Sequence, residues 1–337
     1  MTIHKPVAVF GATGHTGRFV AAELATRGIS SILIGRDDRR LTEYHPTVTT
    51  RVASMTDAAS IDAALQGAGA VINCAGPFFD TALPVIDAAI RAGIPYLDVT
   101  AEQSTVLHIH AERDAAARAA GVAVVPAMAF FGGLGDLLAT VACKDWATPD
   151  SIEIAVALDS WHPTAGTRET GRRNTAARLI VRDGQLVPLP DSALSRDWLF
   201  PAPFGLQEVV AVPLTETVLI AHHLATRSLT TYMNRTPLAE LHDPATPAPV
   251  AADDSGRSAQ RFVVDVIVRN GADERRAQAT GRDIYAITAP LVVEAALRLM
   301  QGEQRHGVLS PGAVFNARDF LNTLAPAHLT LSLPNAD

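Results

Sequence analysis

Three glycines at three-residue spacing follow the first apolar run of the chain, Val7–Phe10, and a helical pattern comes directly after them. Gly11 permits a tight turn, Gly14 lets the backbone approach a ligand without an intervening Cβ, and Gly17 lets a helix pack closely on a sheet. The N–H groups and positive dipole end of such a helix suit a pyrophosphate. The pattern predicts that a dinucleotide binds on this turn, through Gly11, Ala12, Thr13, Gly14, His15, Thr16 and Gly17.

The residues after the second predicted strand bear on which dinucleotide binds. That strand ends in Gly35 and Arg36, where an NAD site usually places an acidic residue for the ribose 2′-hydroxyl. Gly35 leaves room, and the planar, permanently charged guanidinium of Arg36 suits a 2′-phosphate. The alternative is that Asp37 or Asp38 receives the ribose hydroxyl and Arg36 is only solvated. We predict NADP as the cofactor, with NAD the less favoured choice, and Gly35 and Arg36 as contacts.

Strand and helix patterns alternate over the first 126 residues. Several strands, such as Ala70–Asn73, are continuous apolar runs, as in parallel sheets that are buried on both faces. The alternation predicts an α/β fold with a Rossmann-type doubly wound parallel sheet over residues 1–130. A helical pattern at Leu291–Met300 predicts that C-terminal helices within residues 285–330 complete this domain.

Residues 131–284 carry a different pattern. Two pairs of strand-like segments flank Asp183-Gly184 and Asn270-Gly271, dipeptides that are favoured in the turns of hairpins. Antiparallel hairpins predict a second, α+β domain with antiparallel strands, which we expect to contact the substrate.

The composition restricts the class of partner. The 337 residues are 48% hydrophobic and 19% charged, which is enough for two domains with sizeable cores. The net charge of −7 argues against nucleic acid, and no apolar stretch reaches the roughly 18 residues of a membrane span. Cys74 and Cys143 lie among apolar residues, which favours reduced thiols. We expect a cytoplasmic protein that binds a small-molecule substrate, with neither nucleic acid nor a membrane as partner.

Four segments spread along the chain resemble the saccharopine dehydrogenase-like family of NAD(P)-binding proteins. They are Gly11–Arg18; Asn73–Phe79, close to the family's N-C-A-G-P-F; Ala92–Glu102, close to A-G-x-x-Y-x-D-x-T-G-E; and the C-terminal Gly307–Pro311. The resemblance implies a Rossmann domain, a second α+β domain that carries substrate contacts, and a nicotinamide cofactor. It also implies a homodimer interface in the second domain, as is frequent in the family.

Two departures from the family pattern concern the substrate. Ala101 stands where the family usually has glycine, and Pro126–Asp136 only loosely follows P-G-x-G-F-D-S-x-P-x-D. The second departure falls at the predicted junction between the domains. The identity of the substrate therefore does not transfer from the family to this chain.

Small residues follow the fourth predicted strand, at the edge of the sheet where ligands bind in such folds. Gly76 would let the backbone pass close to the ribose or nicotinamide of a cofactor. The alternative is an ordinary turn before a helix that starts near Ala82 and includes Pro84–Ala92. We predict Ala75, Gly76 and Pro77 as cofactor contacts.

Polar residues close the fifth predicted strand at the same edge. Alternation places Asp98, Thr100 and Glu102 on one side. Thr100 is a predicted cofactor contact, and Glu102 is a predicted catalytic residue because a carboxylate beside a hydride acceptor can relay a proton. The alternative for Asp98 and Glu102 is a helix cap or a surface ion pair.

His162 follows the first predicted strand of the second domain and is the other predicted catalytic residue. Imidazole titrates near neutrality, and reduction of a carbonyl or imine needs a proton. Three nearby arginines, Arg168, Arg172 and Arg173, could bind a substrate carboxylate or the 2′-phosphate. The alternatives are a loop histidine and a solvated basic helix face.

The histidine pairs of the chain do not have the spacing of metal ligands. Neither His108 with His110 nor His222 with His223 shows i, i+4 spacing or a matching cysteine set, so we predict no bound metal. The predicted function is an NADP-dependent oxidoreductase that transfers a hydride to or from a small carbonyl, imine or enoyl substrate. Because no strong catalytic constellation stands out, the alternative is a non-catalytic, NADP-binding, redox-sensing regulatory protein.

Overall fold

The chain folds into two compact units in a computed structural model that describes residues 5–44, 46–192, 194–302 and 305–335. The first unit comprises the residues up to Ala129 together with Thr288–Leu309. The second comprises Phe130–Ile287 and the residues from Ser310 onward.

The first unit contains a seven-stranded sheet whose neighbouring strands are all parallel. The strands run in the order β15-β6-β5-β4-β1-β2-β3, so the direction of winding reverses between β1 and β4. This order confirms the predicted doubly wound parallel sheet and places a ligand crevice at the carboxyl ends of β1 and β4. The strands are β1 (Val7–Phe10), β2 (Ser31–Gly35), β3 (Thr49–Val52), β4 (Ala70–Asn73), β5 (Tyr96–Asp98), β6 (Ala123–Val125) and β15 (Gly307–Val308).

Helices flank this sheet, and its central strands are almost fully buried. They are α1 (His15–Thr26), α2 (Asp38–Tyr44), α3 (Ala58–Leu65), α4 (Phe78–Ala92), α5 (Gln103–Ala120) and α10 (Thr288–Met300). The predicted start of α4 near Ala82 was wrong, because the helix begins at Phe78 and carries Pro84 in its interior. Because proline is common in the first turn of helices, Pro84 predicted a helix that starts close to it.

The C-terminal return to the first unit is shorter than the predicted 285–330. Helix α10 packs on α1 and β4, and β15 pairs with β6 at the edge of the sheet. The residues after Leu309 belong to the second unit, because α12 (Ala317–Leu324) packs on α6 (Gly135–Cys143) there.

The second unit is built on a nine-stranded mixed sheet, which confirms the predicted α+β class with antiparallel strands. The main path runs β10-β11-β12-β7-β13-β14-β16, and β8 pairs with both β12 and β9. β12 and β7 are parallel, and the other pairs are antiparallel. The strands are β7 (Ser151–Leu158), β8 (Leu179–Arg182), β9 (Gln185–Pro188), β10 (Ser195–Leu199), β11 (Leu206–Ala211), β12 (Ser228–Asn234), β13 (Arg261–Asn270), β14 (Asp273–Arg282) and β16 (Thr330–Ser332).

Helical segments complete the second unit. A kinked segment at Phe130–Leu134, in which Phe131 and Gly132 are not helical, leads into α6, and α6 packs against β13 and β14. The remaining helices are α7 (Ala165–Arg173), α8 (Thr215–Ala221), α9 (Arg235–His242), α11 (Pro311–Val314) and α12.

Both predicted hairpins form, with one shift of register. Asp183 and Gly184 join β8 to β9 with φ of 50° and 76°, as a type I′ turn requires. In the second hairpin, Asn270 pairs with Asp273, so the turn is Gly271-Ala272 rather than the predicted Asn270-Gly271. Strand pairing continues one residue further than the turn preference indicated.

A buried carboxylate ties together distant strands of the second sheet. Asp265 on β13 is 0% exposed and accepts hydrogen bonds from Arg276 Nε (2.8 Å) and Trp198 Nε1 (2.8 Å). Gln278 Nε2 donates to the same carboxylate at 3.1 Å. Because Trp198 lies on β10 and Arg276 on β14, this one charge connects β10 with the neighbouring pair β13 and β14 through side chains.

Candidate functional site

The first glycine of the turn lies at the switch point between β1 and β4. Gly11 has a φ of +72°, and its N–H donates to Ile34 O at 2.9 Å. A Cβ on Gly11 would lie 2.9 Å from the backbone of Ala75, which follows β4. The turn and the residues after β4 therefore meet with no room for a side chain between them.

The third glycine sets how closely α1 approaches the turn. A Cβ on Gly17 would lie 2.2 Å from Gly11 O, far inside any contact distance. Gly14 is the N-cap of α1, its N–H donates to Gly11 O at 2.9 Å, and no side chain caps the helix. This backbone cradle at a helix N-terminus has the shape and polarity that a pyrophosphate needs. Ala12, Thr13, His15 and Thr16 complete the turn as predicted contacts.

Arg36 lies directly after β2, and its contact with a 2′-phosphate stays a prediction. Its side chain is exposed, and among the described residues no hydrogen bond or ion pair involves it. The alternative acid, Asp37, is engaged locally, because its Oδ1 accepts from Arg40 N at 3.1 Å at the start of α2. A Cβ on Gly35 would lie 3.3 Å from the Leu41 side chain, so glycine leaves space at this position.

The turn after β4 is held by a buried amide. Asn73 is 0% exposed; its Nδ2 donates to Tyr96 Oη and Thr81 Oγ1, both at 3.2 Å, and its Oδ1 accepts from Ala75 N at 3.0 Å. Thr81 Oγ1 also donates to Ala75 O at 2.6 Å. Both backbone groups of Ala75 are thus fixed, while Gly76 remains exposed at the edge of the sheet.

Asp98 is a buried junction at the end of β5. Its carboxylate accepts from Tyr96 Oη (2.9 Å), Thr100 N (3.0 Å) and Ala127 N (2.8 Å). Burial raises the pKa of Asp98 to about 6, although these three hydrogen bonds oppose the rise. Thr100, a predicted cofactor contact, is 0% exposed, and its Oγ1 accepts from Glu102 N at 3.1 Å.

Glu102 connects the first turns of two helices. One carboxylate oxygen accepts from Phe78 N at 3.3 Å, where α4 begins, and the other accepts from Thr105 Oγ1 at 2.6 Å in α5. Glu102 is also the N-cap residue of α5 and is only 3% exposed. These contacts agree with the alternative that Glu102 caps a helix. Its catalytic role stays a prediction.

His162 lies after β7 in the second unit and is half-buried. Among the described residues, no hydrogen bond or ion pair involves its ring. Its catalytic role stays a prediction. Gly166 and Thr167 follow in the first turn of α7.

A hydroxyl cluster beside His162 escaped the sequence reasoning. Tyr285 Oη accepts from Trp161 Nε1 at 3.0 Å and from Thr164 N at 3.3 Å, and it lies 3.0 Å from Thr167 Oγ1. Burial raises the pKa of Tyr285, so it is a neutral hydroxyl near pH 7. No spacing pattern singles out Tyr285, because more than a hundred positions separate it from its partners.

The basic residues of α7 are partly committed to local contacts. Arg168 Nη2 donates to Thr246 O at 2.7 Å and to Asp243 O at 3.2 Å, so it holds a loop. Arg172 forms an exposed ion pair with Glu169 at 2.8 Å. These contacts do not support the prediction that Arg168 and Arg172 bind a substrate carboxylate. Arg172 fits the alternative, a basic residue on a solvated helix face.

An aspartate–histidine pair in the second unit was also missed. Asp136 on α6 is 0% exposed; its Oδ1 lies 2.6 Å from His223 Nε2, and its Oδ2 accepts from Gly312 N at 2.7 Å. An acidic residue within the apolar stretch Phe130–Cys143 was the available signal, because a buried charge needs a partner. Within the described residues, no cluster of histidine, cysteine, aspartate or glutamate could hold a metal ion.

The His223–Asp136 pair predicts how the stability of the second unit depends on pH. Burial lowers the pKa of His223, but the Asp136 carboxylate more than offsets this, so the pKa lies above 6.5. A raised pKa stabilises the fold fully below pH 6.5, and this contribution disappears as the pH rises through the higher value. The free energy of unfolding of the second unit is therefore expected to fall across that range.

All three tryptophans lie in this unit, so tryptophan fluorescence during urea unfolding measures its stability. If the free energy of unfolding depended on pH in the same way in His223→Gln, the role of the His223–Asp136 pair would be contradicted.

Comparison with known proteins identifies the first unit. The family model described as the saccharopine dehydrogenase NADP-binding domain matches residues 7–125. Residues 7–125 are thus similar to the NADP-binding domain of saccharopine dehydrogenase. This match confirms the predicted family resemblance and the choice of NADP over NAD as the cofactor class.

Several curated relatives of this chain are named oxidoreductases. The chain is 28% identical over 143 residues to the mouse saccharopine dehydrogenase-like oxidoreductase, and 28% identical over 179 residues to one from Arabidopsis thaliana. The aligned segments cover 36% and 47% of this chain but only 33% and 39% of those relatives. A relative from Caenorhabditis elegans is named a lipid droplet localized protein. It is 27% identical over 136 residues, and the aligned segment covers 36% of this chain and 32% of the relative.

The fold similarity extends beyond this domain. Apo saccharopine dehydrogenase (L-Glu forming) from Saccharomyces cerevisiae matches with a TM-score of 0.68, covering 98% of this chain and 100% of that chain. The sequence identity is 12%, so the likeness concerns the fold. In the described part of the chain, no helix is both long and apolar enough to cross a membrane. The predicted cytoplasmic location and homodimer stay predictions.

Proposed function

We propose that the protein is an NADP-dependent oxidoreductase that transfers a hydride between the nicotinamide and a small carbonyl, imine or enoyl substrate. The observation that supports it most is the glycine cradle together with Arg36, which has no partner among the described residues, in a segment similar to an NADP-binding domain. The oxidoreductase names of the relatives support the reaction class.

The residues of the first unit have separate tasks in this proposal. Gly11, Gly14 and Gly17 hold the pyrophosphate, Arg36 binds the 2′-phosphate, and Gly76 lies against the ribose or nicotinamide. When bound, NADPH supplies the hydride. A proton must also reach the reduced oxygen or nitrogen, and His162 is the candidate donor because its ring is half-buried and without a partner among the described residues.

Arg36→Ala is expected to remove the preference for NADPH over NADH. A charge-assisted hydrogen bond contributes about 1.5–3 kcal/mol, so the dissociation constant of NADPH should rise about 10- to 100-fold. NADH affinity should stay within about twofold. Calorimetric titration of both nucleotides measures the ratio. Arg118→Ala, in the last turn of α5 and exposed, is the matched control. Equal losses for NADPH and NADH would contradict the assignment of Arg36.

The reaction is tested by NADPH consumption with a panel of aldehydes, ketones, imines and enones. We expect turnover with at least one class, and a lower kcat in His162→Ala with unchanged NADPH affinity. Tight NADPH binding without turnover of any class would overturn the oxidoreductase proposal and favour the alternative of a redox-sensing regulatory protein.

A further inference from the structure

An apolar groove opens between the first turns of α4 and α5, which start at the carboxyl edge of the sheet. We call it the Phe79 groove. Its volume is about 320 Å³, at the lower end of the about 300–1,000 Å³ typical of small-ligand sites. Its lining consists of Phe78, Phe79, Ala82, Leu83, Ser104, Thr105, His108 and Ile109.

The lining is apolar in its floor and at its rim. Phe78, Ala82 and Ile109 are 8%, 1% and 0% exposed, whereas the ring of Phe79 at the rim is 57% exposed. The exposed ring of Phe79 extends the apolar lining to the rim, and burying this ring under an apolar ligand would be favourable. Neither lysine nor arginine lines the groove, and His108 is its one titratable side chain.

The groove adjoins the predicted cofactor contacts. Phe78 and Phe79 follow Gly76 and Pro77 directly in the chain. Glu102 fixes the floor, because it accepts from Phe78 N in α4 and from Thr105 Oγ1 in α5. A preformed site of this kind binds a ligand without a cost for ordering its walls.

We infer that the Phe79 groove binds the uncharged, apolar chain of the substrate, next to the carbonyl, imine or enoyl carbon that exchanges the hydride. This inference rests on the proposed function and names its substrate class. A substrate with charged ends, such as an amino dicarboxylate, would need cationic partners that the groove lining does not supply. The class is therefore a short aliphatic or aryl-substituted carbonyl, imine or enoyl compound.

The test separates binding from turnover. Straight-chain primary alcohols from butanol to decanol are titrated into the NADP-loaded protein by calorimetry. Each methylene should lower the dissociation constant about fourfold until the groove is filled. Phe79→Ser should weaken binding of the longest well-bound alcohol at least about tenfold, and Ser104→Trp should abolish it by filling the groove. NADPH affinity should be unchanged in both variants. Leu199→Ser, which removes an equally exposed apolar side chain in the second unit, is the control.

The outcomes distinguish this inference from the proposed function. Chain-length dependence that both substitutions remove supports the groove, even if no aldehyde is reduced. Affinity independent of chain length, or unchanged in Phe79→Ser and Ser104→Trp, overturns it, even if small ketones are reduced. Loss of a dimer in Phe79→Ser, measured by light scattering, also overturns it, because a second copy would then cover the groove.

Discussion

Gly17→Ala is expected to lower NADPH affinity on the order of 100-fold, because a side chain at this position displaces the turn that holds the pyrophosphate. The added Cβ would lie 2.2 Å from Gly11 O and 2.9 Å from Gly11 C. Both are backbone atoms, so neither a rotamer change nor a flexible side chain can relieve the contact. The helix N-terminus must move away from Gly11, and the pyrophosphate loses its aligned N–H groups. Calorimetric titration of NADPH measures the loss.

A matched substitution separates this local effect from general destabilisation. Gly28→Ala places a Cβ in open space at the other end of α1, where the φ of +69° makes the substitution strained. It should cost about 1 kcal/mol of stability and leave NADPH affinity unchanged. Full NADPH affinity in Gly17→Ala would contradict the placement of the pyrophosphate on this turn.

Asp265→Ala is expected to lower the free energy of unfolding of the second unit by about 3 kcal/mol. The substitution leaves Trp198 Nε1 and the guanidinium of Arg276 without their shared acceptor, and it opens a cavity in the sheet. The Arg276 side chain is 39% exposed, so water can solvate its guanidinium once the carboxylate is removed. The expected loss of stability therefore lies at the lower end of the range for breaking a buried ion pair. Urea unfolding followed by tryptophan fluorescence measures it.

The control for this prediction is an ion pair of similar geometry on the surface. Glu208 and Arg235 approach to 2.6 Å, but their side chains are 49% and 58% exposed. Glu208→Ala should cause no measurable change, because solvent screens such pairs. Equal stability of Asp265→Ala and the wild-type protein would show that the carboxylate does not join the strands.

The sheet of the first unit could be predicted because parallel strands buried on both faces form continuous apolar runs. Val7–Phe10 and Ala70–Asn73 are such runs, and both are fully buried in the structure. The hairpins of the second unit were visible because Asp183-Gly184 and Gly271 supply the positive φ of tight turns. In both cases the information is local to a few neighbouring residues.

Contacts between distant positions were beyond sequence reasoning. At the start of α4, Phe78 N donates to Glu102, which lies 24 positions further along the chain, and Pro84 lies inside the helix rather than at its start. Asp136 meets His223 across 87 positions. The glycine cradle was predictable because its function depends on backbone space, whereas the Phe79 groove depends on how two helices pack.

Transfer of deuterium from NADPH that carries deuterium at both C4 positions of the nicotinamide tests the central claim most directly. The labelled cofactor is incubated with the wild-type protein and the panel of carbonyl, imine and enoyl compounds, and the products are analysed by mass spectrometry. We expect deuterium in at least one product, in amounts equal to the NADP formed, and none with Gly17→Ala at the same NADPH concentration. NADPH bound by the wild-type protein with no label in any product would contradict the claim that this protein is an oxidoreductase.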